Sequence, residues 1–443
     1  MSSSASSQSA IANNSDTASR SHDELSYQQL ILLAAIIGIA GGLVATVYYY
    51  TLEVSIDVVW QSIPEFLKSN FASEFLAKNY VWIATTVGGL LVGLTLYFMG
   101  LPGEVAFVVD KVHDPGHITI HQTPAMIIAS LFSIAFGGSA GPEAPLVQVN
   151  GSFGGWLGQK LKLTARSIRV MTFCGMSAAL GAFFGAPLGG ALFALEIPHR
   201  RGLEYYEALI PAVLSAILSF CVFRLNTGLT IGGIYHFTAI PKLSLINLAE
   251  GALLGGIGAF IAFIFVLLFR VIGHLSEYIA HRRILLATLG GLSIGIIAYF
   301  LPQTLFFGEK EIETIVETGA TFGVTMLLAI AAAKMLAISC TIHSGFRGGF
   351  IFPLFYIGAA IGLAIALAFP QIHPTIGMVC LMAAVNVAVT KTPISTSVIL
   401  SVLSDTAMLP VIVIASFVSF LLTTELSLIQ TQRSRYLDIT AVE

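Results

Sequence analysis

From Tyr27 almost to its C-terminal end, this 443-residue chain is a succession of apolar runs, at about 28–50, 80–98, 124–136, 170–197, 206–224, 246–274, 284–301, 322–342, 348–369, 376–390 and 397–424. A bilayer core about 30 Å thick takes about 20 helical residues. Backbone polar groups inside it must pair within their own segment, which favours helices. Only 10% of the residues are Asp, Glu, Lys or Arg and 56% are apolar, whereas a soluble domain carries about 25% charge. The chain therefore reads as an all-α polytopic membrane protein whose surroundings are the lipid bilayer. The shortage of charge excludes a nucleic-acid binder and an ordinary soluble enzyme. A net charge of −3 implies no strongly charged partner.

Several runs are too short to cross a bilayer straight, and others are cut by Gly and Pro, as at Gly185-Ala186-Pro187 and Lys391-Thr392-Pro393. Broken backbone at membrane depth is tolerated where it lines a cavity or an ion path, so the pattern points to a channel or transporter. The breaks also repeat. GSAGPEAPL (138–146) has a counterpart in GFRGGFIFPL (345–354), and each is followed about 40 residues later by a second break at Pro187 or Pro393. Two halves, about 28–235 and 245–436, share one plan, the arrangement of an inverted-repeat transporter with its site where the breaks meet. They make up one membrane domain at 27–436. Residues 1–26, rich in Ser, Asn and Ala, are expected to be a disordered tail, and 437–443 a short C-terminal tail. Basic clusters at Lys160–Arg169, His199–Arg201, Arg282–Arg283 and Arg433–Arg435 mark cytoplasmic edges by the positive-inside rule. That places the C-terminus in the cytoplasm of a multi-pass cell-membrane protein. Cys174, Cys221, Cys340 and Cys380 lie far apart in apolar stretches and are expected to be small buried hydrophobes.

The chemistry concentrates in the glycine-loosened turns. Gly138, Ser139, Ala140, Gly141 and Pro142 lead into a helix whose first turn holds Glu143 and Pro145, and Gly345, Gly348 and Gly349 precede Phe350, Ile351, Phe352 and Pro353. The first turn of a helix offers unpaired N–H groups and the positive end of the dipole, which together bind anions without a Lys or Arg. Two such starts facing each other would hold a small desolvated anion weakly enough to let it leave. Arg347 and Lys391 are expected to raise the positive potential near an anion entrance, and Lys334 to snorkel toward water. No His-Glu metal motif, GxSxG turn or Asp-rich site is present, so neither enzyme chemistry nor a cofactor is expected.

These residues resemble the CLC family of chloride channels and proton–chloride exchangers. The resemblance rests on GSAGPEAP (138–145), GAFFGAPLGGALFALE (181–196), GGFIFP (348–353) and KTPIST (391–396) with Asp405 and Pro410. It implies an inverted repeat of tilted, broken helices, a homodimer with one pore per subunit, and a bacterial-type member without the cytoplasmic CBS pair. It also implies transport of chloride or a similar small anion.

The departures from the family pattern fall on its working side chains. Where the family places a gating, proton-carrying Glu, this sequence has Ala140. Glu143, three residues on, has two readings: a displaced gate, or a carboxylate satisfied by N–H groups of the helix start. Ile197 stands where exchangers keep an inner proton-handling Glu. The adjacent Glu196 is either a substitute or a residue that caps a helix or pairs with His199 or Arg200. Met99 falls at the family's anion-coordinating serine, Ile351 at the Phe of Gly-x-Phe-x-Pro, and Leu428 and Ile429 near the pore tyrosine, for which Tyr436 is a distant candidate. A passive chloride channel or uniporter is therefore expected, the alternative being a proton-coupled exchanger that uses Glu143.

Overall fold

The computed structural model describes residues 25–71, 74–103, 105–229, 235–238 and 242–433. The tail expected at 1–26 thus lies outside the described residues except for its end, where Ser26 caps the first helix in a reciprocal box with Gln29. Tyr436 and 437–443 lie outside them as well. In chain order the helices are α1 (Tyr27–Asp57), α2 (Ile63–Phe71), α3 (Glu74–Met99), α4 (Val105–His113), α5 (Thr123–Ala135), α6 (Glu143–Lys160), α7 (Ala165–Phe184), α8 (Pro187–Glu196) and α9 (Leu209–Thr227). They continue as α10 (Leu245–Glu277), α11 (Arg283–Phe300), α12 (Glu309–Thr318), α13 (Gly323–His343), α14 (Ile351–Ala368), α15 (Pro374–Thr390), α16 (Pro393–Leu403) and α17 (Leu409–Thr423). Among the described residues there is no strand beyond a single isolated bridge, and nine helical stretches are long and apolar enough to cross a membrane.

Two of the apolar runs prove to be two helices each. The run at 170–197 breaks into α7 and α8 after Gly185, and that at 397–424 holds the end of α16 and all of α17. The breaks ahead of Pro187 and Pro393 use the same backbone. Gly185 and Lys391 adopt left-handed φ of 65° and 62°, and in each case one non-helical residue (Ala186, φ −130° and ψ 80°; Thr392, φ −120° and ψ 63°) and a proline follow and restart the chain as a short helix. At 10 and 11 residues, α8 and α16 span only about 15 Å, half a bilayer.

Packing follows the same correspondence. Helix α1 lies on α7 and α9, and its counterpart α10 lies on α15 and α17. Close approach is set by small residues. Gly38 and Gly42 of α1 rest on the backbone of Ser215 and Ser219, as Gly251 and Gly255 of α10 rest on Val411 and Ala415. The serine hydroxyls, with no water available, donate to carbonyls of the neighbouring helix: Ser219 to Ala178 at 2.7 Å in one half, Ser419 to Ala384 at 2.7 Å in the other. Helix α3 packs on its own counterpart α11, and α8 on α16. An element that touches its counterpart marks the axis relating the halves, and the loosened turns meet near that axis.

Three expectations from the sequence are corrected here. Lys334 does not reach water. It is fully buried on α13, and its Nζ donates to the carbonyls of Thr304 (3.1 Å), Leu305 (3.2 Å) and Phe306 (2.7 Å). The loop ahead of α12 exposes those carbonyls inside the protein, where an ammonium with three N–H donors can satisfy all three at once. Lys391 likewise serves the backbone rather than an anion entrance: its Nζ donates to Ala388 O at 2.6 Å and to the carbonyl and hydroxyl of Thr423. Cys221 is exposed on α9 and Cys340 half-buried, while Cys174 and Cys380 are buried as expected. Lys334→Met should orphan three carbonyls and destabilise the fold by at least about 2 kcal/mol, read as a lower Tm in detergent. An unchanged Tm would contradict the assigned role.

Candidate anion site

Helix α5 ends at Ala135 and α13 at His343, and the chain reverses at a glycine after each. Gly137 (φ 90°) returns its N–H to Ile134, and Gly345 (φ 93°) returns its own to Ile342. Such φ values suit a residue without Cβ. Six residues after these glycines stand Glu143 and Ile351, the first residues of α6 and α14, so the two turns match residue for residue. Midway, Gly141 and Gly349 exchange backbone hydrogen bonds, Gly141 N–H to Gly349 O at 2.8 Å and Gly349 N–H to Gly141 O at 2.7 Å. The two helix starts are stitched to each other, 208 residues apart in sequence.

Glu143 crosses this seam. Its Oε1 accepts from the Ile351 amide at 3.0 Å, with the amides of Phe352 and of Glu143 itself beside the carboxyl. The side chain is 1% exposed. Its other oxygen, Oε2, has no hydrogen-bond partner among the described residues. Glu143 is therefore satisfied by the opposite helix start as well as its own. The approach is possible because Gly349 has no side chain: a Cβ there would fall within 2.5 Å of the Glu143 Cγ. A carboxyl group thus occupies the point where two positive helix ends converge, the position a small anion would take.

The other residues singled out in the sequence divide into two groups. Gly138, Ser139, Ala140, Gly141 and Pro142 form one turn, and Gly349, Phe350, Ile351 and Phe352 the other. The Ser139 amide donates to Thr341 Oγ1 at 3.1 Å, which ties the first turn to α13. Ala140 is fully buried, its methyl packed against Gly348. Met99 is not brought to this centre. It ends α3, 44% exposed, and Gly103 instead lines the cavity inside the seam. Leu428 and Ile429 do line that cavity, as does Arg347.

Glu196 sits at a different helix start. It ends α8 and caps α16, accepting from the Ile394 amide (3.1 Å), the Ser395 amide (2.8 Å) and the Ser395 hydroxyl (2.5 Å). His199, one of the expected partners, faces Glu204 instead, at 3.7 Å. A second, almost wholly apolar cavity is lined by Glu143 and Ile197 together with Val108, Met176, Leu180 and Phe193.

The cross-over of Glu143 was not visible from the sequence. Its signal lay in the register of the repeat: aligning Gly137 with Gly345 pairs Glu143 with Ile351 and leaves Gly349 as the space for a carboxyl. Gln148 was also missed, a fully buried polar residue on α6 that lines the inner cavity.

Known proteins share the fold that carries these turns. The sequence model of the family described as voltage gated chloride channel matches residues 88–424. An uncharacterized protein of Methanocaldococcus jannaschii, MJ0305, is 30% identical over 335 residues, 74% of this chain and 76% of that protein. The chloride/fluoride channel protein of Pseudomonas syringae pv. tomato is 30% identical over 295 residues, 63% of this chain and 62% of that protein's length. Among solved structures, a CLC-type fluoride/proton antiporter superposes with a TM-score of 0.77 at 20% identity, covering 93% of this chain and 100% of its own. A slow cyanobacterial chloride/proton antiporter gives 0.79 at 18%, covering 90% of this chain and 96% of its own. At such identities the likeness is one of fold.

Proposed function

This chain belongs to the voltage-gated chloride channel family, and on that premise we propose that it passes small anions, chloride first among them, passively through the seam between α6 and α14. CLC-type anion transport is the family's work; the passive mode is the finer claim. The observation that carries it is the Glu143 carboxylate on the Ile351 amide at 3.0 Å. A carboxylate and an anion compete for the same donors, so the side chain is a gate that must leave its seat before an ion passes.

Proton coupling would need a relay from that seat to the inner side. Ala140 offers none. Ile197, which lines an apolar cavity with Glu143, has no proton to pass on, and both oxygens of Glu196 are committed to capping α16. Exchange through Glu143 alone, the alternative, has no inner partner among these groups.

The test is anion flux from liposomes with simultaneous proton recording. Chloride efflux without stoichiometric proton movement is expected; proton uptake driven by a chloride gradient would overturn the passive reading. Glu196→Gln serves as the companion variant. As a weakened cap it should lower stability by about 1 kcal/mol while leaving anion flux within about twofold. A loss of proton-coupled flux in that variant would instead make Glu196 a proton carrier.

Orientation and assembly extend the same proposal. Two of the basic clusters meet at the end of α4: Arg169 donates to the carbonyls of Val112 and His113, both at 3.0 Å, and Arg433 lies 3.9 Å from Asp110. His113 there is nearly buried, with Nε2 2.9 Å from Pro198 O, and burial lowers its pKa. This end is taken as cytoplasmic, with the C-terminus on that side of the cell membrane. The working unit is taken as a homodimer, which mass measurement in detergent decides.

A further inference from the structure

The last turns of α1 and α9 and the first turn of α12 help to enclose a cavity of about 170 Å³. It shares no lining residue with the inner cavity or with the apolar cavity beside Glu143. The start of α9 is tied to the basic end of the protein, where Glu207 lies 3.6 Å from Arg166. The helix then runs 19 residues, from Leu209 to Thr227, a length of about 28 Å. The cavity therefore lies toward the opposite end from those clusters.

Arg224, near the end of α9, is 8% exposed and lines this cavity. Its guanidinium lies against the bare Cα of Gly185 and over the Phe220 ring, 5.5 Å from the centroid. Nε has no hydrogen-bond partner among the described residues. A buried cation held by a ring and a glycine is costly without a carboxylate, so its presence calls for a reason outside the resting fold. The two acidic side chains of the wall differ. Glu53 is taken by Lys310, whose Nζ lies 3.2 Å from its Oε2. Glu309, the first residue of α12, acts on Arg224 through space and forms no salt bridge among the described residues. The rest of the wall is largely apolar and includes Leu52, Phe183, Phe223 and Phe307. A cavity of about 150 Å³ takes a benzene, so this one accommodates an apolar group of about six carbons.

These groups disfavour a simple ion: what an anion gains from Arg224 it loses to Glu309. A molecule that carries both charges and a short apolar group gains from all three features of the wall. We propose that the cavity is a receptor site for a small apolar α-amino acid in its zwitterionic form. The Arg224 guanidinium takes the carboxylate, Glu309 takes the ammonium, and the rings of Phe183, Phe223 and Phe307 take the side chain. The site stands whether or not anions pass passively through the seam.

The test is L-leucine binding to the purified full chain by calorimetry in detergent. Isocaproate, which lacks the ammonium, and isoamylamine, which lacks the carboxylate, are titrated alongside. Leucine is expected to bind about tenfold more tightly than either, and glycine, with no apolar group, not measurably. Saturating leucine should also raise Tm. Arg224→Gln and Glu309→Gln should each weaken leucine about tenfold or more. If a variant fails to fold, the analogue series in the unaltered protein decides by itself. Absence of leucine binding, isocaproate binding as tight as that of leucine, or unchanged leucine affinity in a folded Arg224→Gln protein would overturn the proposal.

Discussion

Liposomes carrying the Glu143→Gln variant are expected to lose chloride about ten times faster than those carrying the unaltered protein. The reason lies in the competition for the Ile351 amide. A carboxylate accepting from an amide is a charge-assisted hydrogen bond, worth about 1.5–3 kcal/mol, against about 0.5–1.5 kcal/mol for a neutral carboxamide in the same place. The difference, about 1–1.5 kcal/mol, is about a factor of 5–13 in occupancy. Glutamine keeps the length and shape of the side chain, so the packing against Gly349 and Gly141 survives, and the comparison isolates charge. Glu143→Ala should go further, since it leaves nothing to reoccupy the seat. A rate equal to or below that of the unaltered protein would mean that the carboxylate does not stand in the ion's way.

Gly349→Ala is expected to do the opposite, cutting chloride flux about 100-fold. The added methyl lands where the Glu143 stem now lies, within 2.5 Å of its Cγ. Forcing an ion past a methyl in a packed wall costs about 1–3 kcal/mol, the upper end of which is about two orders of magnitude in rate. The same backbone angles remain open to alanine, because Gly349 is not among the residues with positive φ, so the bridge to Gly141 can persist. The decisive combination is the double variant: since the methyl itself fills the seat, Glu143→Gln should fail to restore flux. Gly256→Ala on the outer face of α10, where the nearest atom would be 3.8 Å away, serves as a control and should change nothing. Restoration of flux in the double variant would mean that Gly349 lies beside the path and not in it.

Much of this architecture was legible in the chain because it is written in local grammar. Gly185-Ala186-Pro187 and Lys391-Thr392-Pro393 stop one helix and start another whatever surrounds them, and the paired Gly-rich turns announce two helix starts. The features that stayed hidden depend on partners far away in sequence. Glu143 reads locally as a residue of its own helix start, and nothing near it shows that Ile351 offers an amide across the seam. Lys334 reads as a snorkelling cation because the carbonyls of residues 304–306 that hold it belong to another loop. Lys391 occupies a position that glycine fills in the other half, and what it gains there, three acceptors for its ammonium, comes partly from Thr423. Met99 was placed by motif alignment, yet α3 runs on to that residue and leaves it half outside, and Gly103 meets the cavity instead.

The convergence of two helix starts on one anion is tested most directly by anomalous diffraction from bromide-soaked crystals of the Glu143→Gln variant. The account predicts a bromide peak at hydrogen-bond distance from the Ile351 amide, between the Gly141 and Gly349 turns, with the glutamine side chain swung clear. Bromide found only away from this seam, with the amide still held by residue 143, would contradict it.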